Sequence, residues 1–149
     1  MRAVVQRVSS ASVTINDQKV AEIDTGLLIL LGIKADDNDK DMDYIAKKIA
    51  GLRIFEDEAG KMNLSVKDVN GSLLIVPNFT LYGDATKGMR PSFILSGSVE
   101  EAKEKYDLFL KKMETYDIAL KTGQFQADMK VALTNDGPVT ILLDSSKLF

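Results

Sequence analysis

Short apolar runs separated by polar breaks dominate both ends of the chain, and two helical periods occupy its middle. Residues 2–8 and 11–15 predict two short strands, with Ser9-Ser10 between them. An Asn16-Asp17 turn leads to a third, over 18–23. Leu27 to Ile33 is apolar on both faces, which predicts a strand covered on both sides. Over residues 39–54 the period changes, and Met42, Ile45, Ala46, Ile49 and Ala50 fall on one helical stripe. Asp36 to Asp39 supply its N-cap and first-turn acids, which the helix dipole favours. A turn at Glu56 to Gly60 follows.

Asn70-Gly71 is a two-residue hairpin signal. It feeds a long strand, Ser72 to Leu81, interrupted by Pro77. Residues 83–92 are polar and glycine-containing and predict a loop. Ser98-Val99-Glu100-Glu101 is a capping box. The helix behind it carries Val99, Ala102, Tyr106, Phe109, Leu110 and Met113 on one side. Strands return over roughly 118–122, 128–134 and 139–144. No internal repeat, linker or low-complexity segment divides the chain. The pattern predicts a single α+β domain over 1–149, with two packed β-layers and two helices on one outer face.

Composition narrows the chemistry. The 149 residues, 45% hydrophobic and 28% charged, suit one globular domain. No apolar run approaches the roughly 18 residues of a membrane span. The opening Met1 to Arg7 lacks the apolar region of a signal peptide, so the cytoplasm is the expected location. The chain has neither cysteine nor histidine. Ser-His-Asp and Cys-His catalysis are therefore excluded, as are zinc sites built on imidazole or thiolate. Neither a metal nor another cofactor is expected. A net charge of −3 argues against broad, sequence-independent binding to nucleic-acid phosphates, but leaves local contact with one strand end open.

Four segments are candidates for a site. The acidic run Asp36, Asp37, Asp39, Asp41, Asp43 resembles the start of a calcium loop. Counted from Asp37, however, Met42 stands at the glycine position and Lys48 at the terminal glutamate position, so a solvated helix start is the expectation. In Pro77 to Tyr82, strand parity places Leu74, Val76, Asn78 and Thr80 on one face. The apolar face thus ends in two polar side chains beside a proline that cannot donate to a ladder. Pattern alone favours a fraying strand; a site there would use the Thr80 hydroxyl, the Asn78 amide or freed backbone N–H groups. No histidine is available to activate Thr80 as a nucleophile. Asn135 to Thr140 reads as a plain hairpin turn, although Gly137-Pro138 permits an unusual corner. Lys87-Gly88-Met89-Arg90-Pro91 is a small basic loop able to meet phosphate, or simply solvated.

Taken together these segments resemble the D-aminoacyl-tRNA deacylase family over the whole chain. The matching stretches are Met1 to Val8, Leu52 to Asp57, Phe79 to Tyr82, Lys87-Gly88 with Arg90 to Phe93, Lys121 to Gly123 with Phe125, Ala127 and Met129, and Asn135 to Thr140. The resemblance implies a barrel-like version of the two β-layers. It implies hydrolysis of the ester of D-aminoacyl-tRNA, assisted by the vicinal 2′-hydroxyl rather than by a protein base. It implies a homodimer in which the Gly137-Pro138 corner of one subunit enters the pocket of the other as a chiral filter, supported by Arg7, Asn135 and Thr140. Phe79 and Thr80, with Asn78, would stand at the catalytic strand and offer backbone N–H groups to the ester. Phe125 and Met129 would line the pocket for the terminal adenosine of the aminoacylated tRNA, with Lys87 and Arg90 as further substrate contacts. Glycine should pass such a filter as well.

The chain departs from the family pattern at four places. Pro77 and Asn78 replace the usual Ser-Gln, Met89 replaces a polar or basic residue, and Gln126 stands where glycine is usual. A sibling family that removes mischarged L-alanine also carries the proline, but usually lacks the phenylalanine found here as Phe79. The remaining alternative is a tRNA-binding paralogue with weakened catalysis.

Overall fold

The computed structural model describes residues 1–149. A single 14-residue strand, β1 (Arg2–Ile15), organises the molecule. β2 (Gln18–Ile23) and β3 (Gly26–Gly32) return along the same edge of β1, β2 against its second half and β3 against its first. β8 (Lys130–Asp144) runs antiparallel along the opposite edge. β6 (Ser72–Pro77) pairs parallel to β3, and β7 (Ala119–Thr122) pairs parallel to β6. A small hairpin, β4 (Phe55–Glu56) with β5 (Met62–Leu64), lies apart. The helices are α1 (Asp39–Gly51) and α2 (Val99–Glu114), and a 3₁₀ turn spans Phe79–Tyr82.

Side-chain parity produces two cores from one curled sheet. Ala3, Val5, Leu27, Ile29, Leu31, Leu73 and Ile75 join Ile45, Ile49, Phe109 and Met113 beneath the helices. Residues of the opposite parity, Leu28, Leu74 and Val76, pack inside the curl against Val8, Ala11, Val13, Ala21 and Ile23. β3 is therefore buried on both faces, as its unbroken apolar run predicts. The α+β, barrel-like class with two helices is borne out.

Several boundaries differ from the sequence reading, each for a local reason. Ser9-Ser10 does not divide β1; both serines are exposed at a register shift, where a strand bends without ending. The expected strands 128–134 and 139–144 are likewise one strand, β8. Its register steps from Thr140 opposite Gln6 to Asn135 opposite Val8, so Asp136 to Val139, four residues, stand opposite Arg7 alone. Asn70-Gly71 makes no hairpin, because β3 and β6 are parallel; Asn70 is left-handed (φ 52°) and the Gly71 N–H closes a turn onto the Val66 carbonyl at 2.8 Å. Helix α1 stops at Gly51, and its cap is Asn38, whose side chain accepts from the Lys40 N–H while Asp41 accepts from the Asn38 N–H. Asp37 turns inward instead, pairing with the Met1 amine and accepting from the Lys34 N–H at 2.7 Å. Burial raises its carboxyl above the usual carboxylate range. The strand expected over Ser72 to Leu81 ends at Pro77, and the parity argument fails beyond Val76.

Candidate functional site

Where β6 stops, the chain must satisfy its backbone within a few residues. The Asn78 N–H donates to the Leu31 carbonyl at 2.8 Å and ties the end of β6 to β3. The Asn78 side-chain oxygen then accepts from the Thr80 N–H at 3.2 Å and from the Thr80 hydroxyl, capping the 3₁₀ turn. The Thr80 N–H is thus engaged by Asn78 rather than free. The turn sits hard against β3: a Cβ on Gly32 would lie 2.9 Å from the Leu81 Cβ and 3.3 Å from the Asn78 carbonyl oxygen. From the other side the Arg2 guanidinium, paired with buried Asp144 at 2.8 Å, donates to the Leu81 carbonyl at 3.1 Å and lies 4.6 Å over the Tyr82 ring.

The turn forms one wall of a cleft of about 380 Å³. Pro77, Asn78 and Phe79 share it with Phe125 and Gln126, with Leu31 of β3 and Ile33 just beyond it, and with Ser96, Gly97 and Val99 around the start of α2. Phe79 is 60% exposed and meets Phe93 edge to face, with ring centroids 5.2 Å apart. Its carbonyl accepts from the Ser96 hydroxyl at 3.2 Å. Phe125 is half-buried, its ring 5.9 Å from that of Tyr106. Tyr106 donates its hydroxyl to the Ile75 carbonyl at 3.1 Å, and burial pushes its phenol far above the ordinary value, so it stays neutral.

Not every expected pocket residue lines this cleft. Met129 packs behind the wall, its sulfur 2.8 Å from where a Gly123 Cβ would stand. Lys87 and Arg90 are exposed on the 83–92 loop, outside the cleft wall. Val99, expected in the core, is 45% exposed and faces the cleft. Ser96, Gly97 and Ala102 also line it; sequence patterning located the start of α2 but carried no signal that this end faces the β6 terminus.

The second constellation is the bulge in β8. The Gly137–Pro138 bond is cis and Gly137 has φ 131°. Arg7, only 6% exposed, donates from Nε to the Asp136 carbonyl at 3.0 Å and from Nη1 to the Ile54 carbonyl at 2.7 Å. The Asn135 amide donates to the carbonyls of Arg7 and Val139, both at 2.9 Å, closing the base of the corner. The Gln6 amide reaches the Thr140 hydroxyl at 3.4 Å. Gly137 and Pro138 themselves are exposed, and neither lines the cleft of their own chain.

What the cleft can do chemically follows from this inventory. No carboxylate, lysine or arginine lines it, and its polar side chains are Asn78, Ser96 and Gln126. It offers apolar and aromatic walls, amides and backbone groups, suited to positioning a flat or uncharged moiety. No group of three or more acidic side chains is arranged to hold a metal ion.

Comparison with known proteins gives the chain its relatives. The model of the family described as D-Tyr-tRNA(Tyr) deacylase matches residues 4–144. A protein of Clostridioides difficile named D-aminoacyl-tRNA deacylase is 56% identical over 149 residues, covering both chains completely. A solved structure named c-Myc DNA Unwinding Element Binding Protein superposes with a TM-score of 0.92 at 43% identity, over 97% of this chain and 98% of that one. The structure of a probable eukaryotic D-amino acid tRNA deacylase shares the fold, with a TM-score of 0.82 at 16% identity over 95% of this chain and 97% of that one. The matched family model and the full-length identity together establish that the chain belongs to the D-aminoacyl-tRNA deacylase family of enzymes.

Proposed function

We propose that the chain hydrolyses the ester bond of D-aminoacyl-tRNA, releasing tRNA and the D-amino acid, and that it reads handedness with main chain rather than with a reactive side chain. The observation that carries this reading is the Gly137-Pro138 corner, exposed at its tip and gripped from below by buried Arg7 and by Asn135. A second copy supplies that corner to the cleft beside Phe79. Its carbonyl oxygens, packed against the substrate Cα, tolerate a hydrogen there and collide with an L side chain. Glycyl-tRNA passes the same filter.

The aminoacyl ester is already activated, and its vicinal 2′-hydroxyl assists the departure of the acyl group. The protein contributes positioning and polarisation of the carbonyl by the Phe79 N–H, with the Thr80 N–H shared between substrate and the Asn78 side chain. A lost oxyanion donor costs about 2.7–4 kcal/mol elsewhere, so one shared donor is a substantial fraction of the rate. Arg90 and Lys87 sit where a mobile RNA end meets the exposed loop, contributing screened attraction.

Incubating the purified protein with D-Tyr-tRNA and L-Tyr-tRNA tests the reading. Rapid release from the D-ester alone is expected. Equal rates on both enantiomers defeat the filter, and preferential release from L-alanyl-tRNA favours the sibling activity. Binding to tRNA without turnover, where a close relative is active, favours the binding paralogue.

A further inference from the structure

Gln126 combines three properties that nothing in the hydrolytic reading uses. It lines the cleft, it holds a left-handed backbone conformation (φ 62°) that favours glycine, and its side chain makes no hydrogen bond within the chain. The other two polar side chains of the cleft are occupied: Asn78 caps Thr80, and Ser96 holds the Phe79 carbonyl. Gln126 therefore presents the one cleft-lining polar side chain wholly without an internal partner, directly after Phe125, whose half-buried ring borders the same space. An aromatic face beside a free carboxamide is the combination that recognises an unstacked base: the ring takes the base by stacking and the amide takes an edge. A carboxamide sets one of its two N–H donors beside its carbonyl acceptor. Adenine presents the complementary pair, its N7 acceptor and N6 amino donor.

We propose that Gln126 is a specificity-determining residue that reads the N6/N7 edge of the terminal adenine of the substrate RNA. The inference rests on the assignment of this cleft to the tRNA 3′ end. It adds a base contact that depends on this glutamine, at a position where the family usually has glycine. The Gln126 amide donates to N7 and its oxygen accepts from the N6 amino group, while Phe125 supports the ring. Removing the side chain weakens binding without touching the ester, because neither Phe79 nor Thr80 is altered.

The test replaces the terminal adenosine with 7-deazaadenosine, which removes the N7 acceptor and leaves the N6 amino group. Two quantities are measured for the wild-type protein and for Gln126→Gly: affinity for an uncharged minihelix RNA, and KM and kcat on the D-tyrosyl ester. The expected results are an affinity loss of about five- to tenfold for wild type on the deaza RNA and a comparable loss for Gln126→Gly on ordinary RNA, with no further deaza effect in that variant. KM rises in step while kcat stays within about twofold, the pattern of lost uniform binding. Glycine suits the left-handed backbone, so the variant melts no lower than wild type, and a folding defect cannot imitate the result. Wild-type indifference to the deaza substitution in binding overturns the proposal even if the ester is hydrolysed. A persisting deaza effect in Gln126→Gly overturns it too. Base discrimination in binding without hydrolysis of the D-ester leaves the adenine contact standing and defeats the hydrolytic reading instead.

Discussion

At the scale of single residues, the corner and the turn make different demands. Gly137 has φ 131°, and a Cβ there would lie 2.6 Å from the Val139 Cγ2 and 3.1 Å from the Arg7 Nη2. Gly137→Ala is expected to lose about 1–3 kcal/mol of stability and to blunt discrimination between D- and L-esters, read as the ratio of their kcat/KM values. Retained selectivity would show that the corner plays no part in filtering. Arg2 acts on the other half of the site, through the Leu81 carbonyl. Arg2→Lys keeps a charge for Asp144 but lacks the fork that serves a carboxylate and a carbonyl together. A fall of about tenfold in kcat is expected, with a melting temperature lower by only a few degrees, in line with the loss of a single hydrogen bond of about 1–1.5 kcal/mol at the turn. Full activity of Arg2→Lys would mean the turn holds itself. Gly137 and Pro138 were legible as an unusual corner because their residue types are restrictive, whereas Phe79 became a candidate only through the family resemblance. The engagement of Thr80 by Asn78 was not, since it depends on the chain abandoning strand geometry immediately after Pro77.

Elements were legible in proportion to how local their causes are. Helix α2 follows its capping serine and apolar stripe: Ser98 caps it and Tyr106, Phe109 and Met113 are buried. Helix α1 follows its stripe also, but three carboxylates and one asparagine competed for its start, and only Asn38 lies at the position whose side chain reaches the Lys40 N–H. Strand continuity was not legible, because a bulge and a strand break look alike in sequence while β8 is out of view. The loop after β4 supports a prediction at this scale. The Asp57 carboxylate accepts from the N–H groups of Lys61 at 3.0 Å and Ala59 at 2.9 Å and from the Asn63 amide at 3.2 Å. Chiefly the Lys61 N–H, together with those partners, holds its acid below the usual carboxylate range. A depressed folded pKa stabilises above the unfolded value, about 3.9, and that contribution fades as pH falls through the folded value. Asp57→Asn should flatten the melting-temperature curve below about pH 4 while leaving its slope above about pH 5 unchanged. Identical acid profiles for the two proteins would show that this turn does not contribute to pH-dependent stability.

For the whole molecule, the core beneath the helices reaches both constellations, since Leu31 and Ile33 line the cleft and Val139 adjoins the corner. Phe109 is fully buried between α1, α2 and the sheet. Phe109→Ala should cost about 3–5 kcal/mol and lower the melting temperature by about 2–4 °C per kcal/mol, measured by calorimetry; a drop of a degree or less would mean the core recloses around the gap. The fold class was legible because strand and helix periods are intrinsic to the chain. The placement of the cleft was not, since it arises where the end of β3, the end of β6 with its 3₁₀ turn, the start of α2 and the Phe125-Gln126 segment meet, four stretches far apart in sequence.

Strand β1 carries both fasteners: Arg2 holds the turn at one end and Arg7 holds the corner farther along. They stand five positions apart along the strand, about 16 Å, and odd and even positions point to opposite faces. In the proposed function, each copy lends its corner to the cleft of the other. Two crippled versions, one altered at Phe79 and one at Gly137, should then rescue each other. Their equal mixture, after exchange, forms hybrids in about half the population, each with one wholly wild-type composite centre. An inert mixture would mean that each polypeptide works alone.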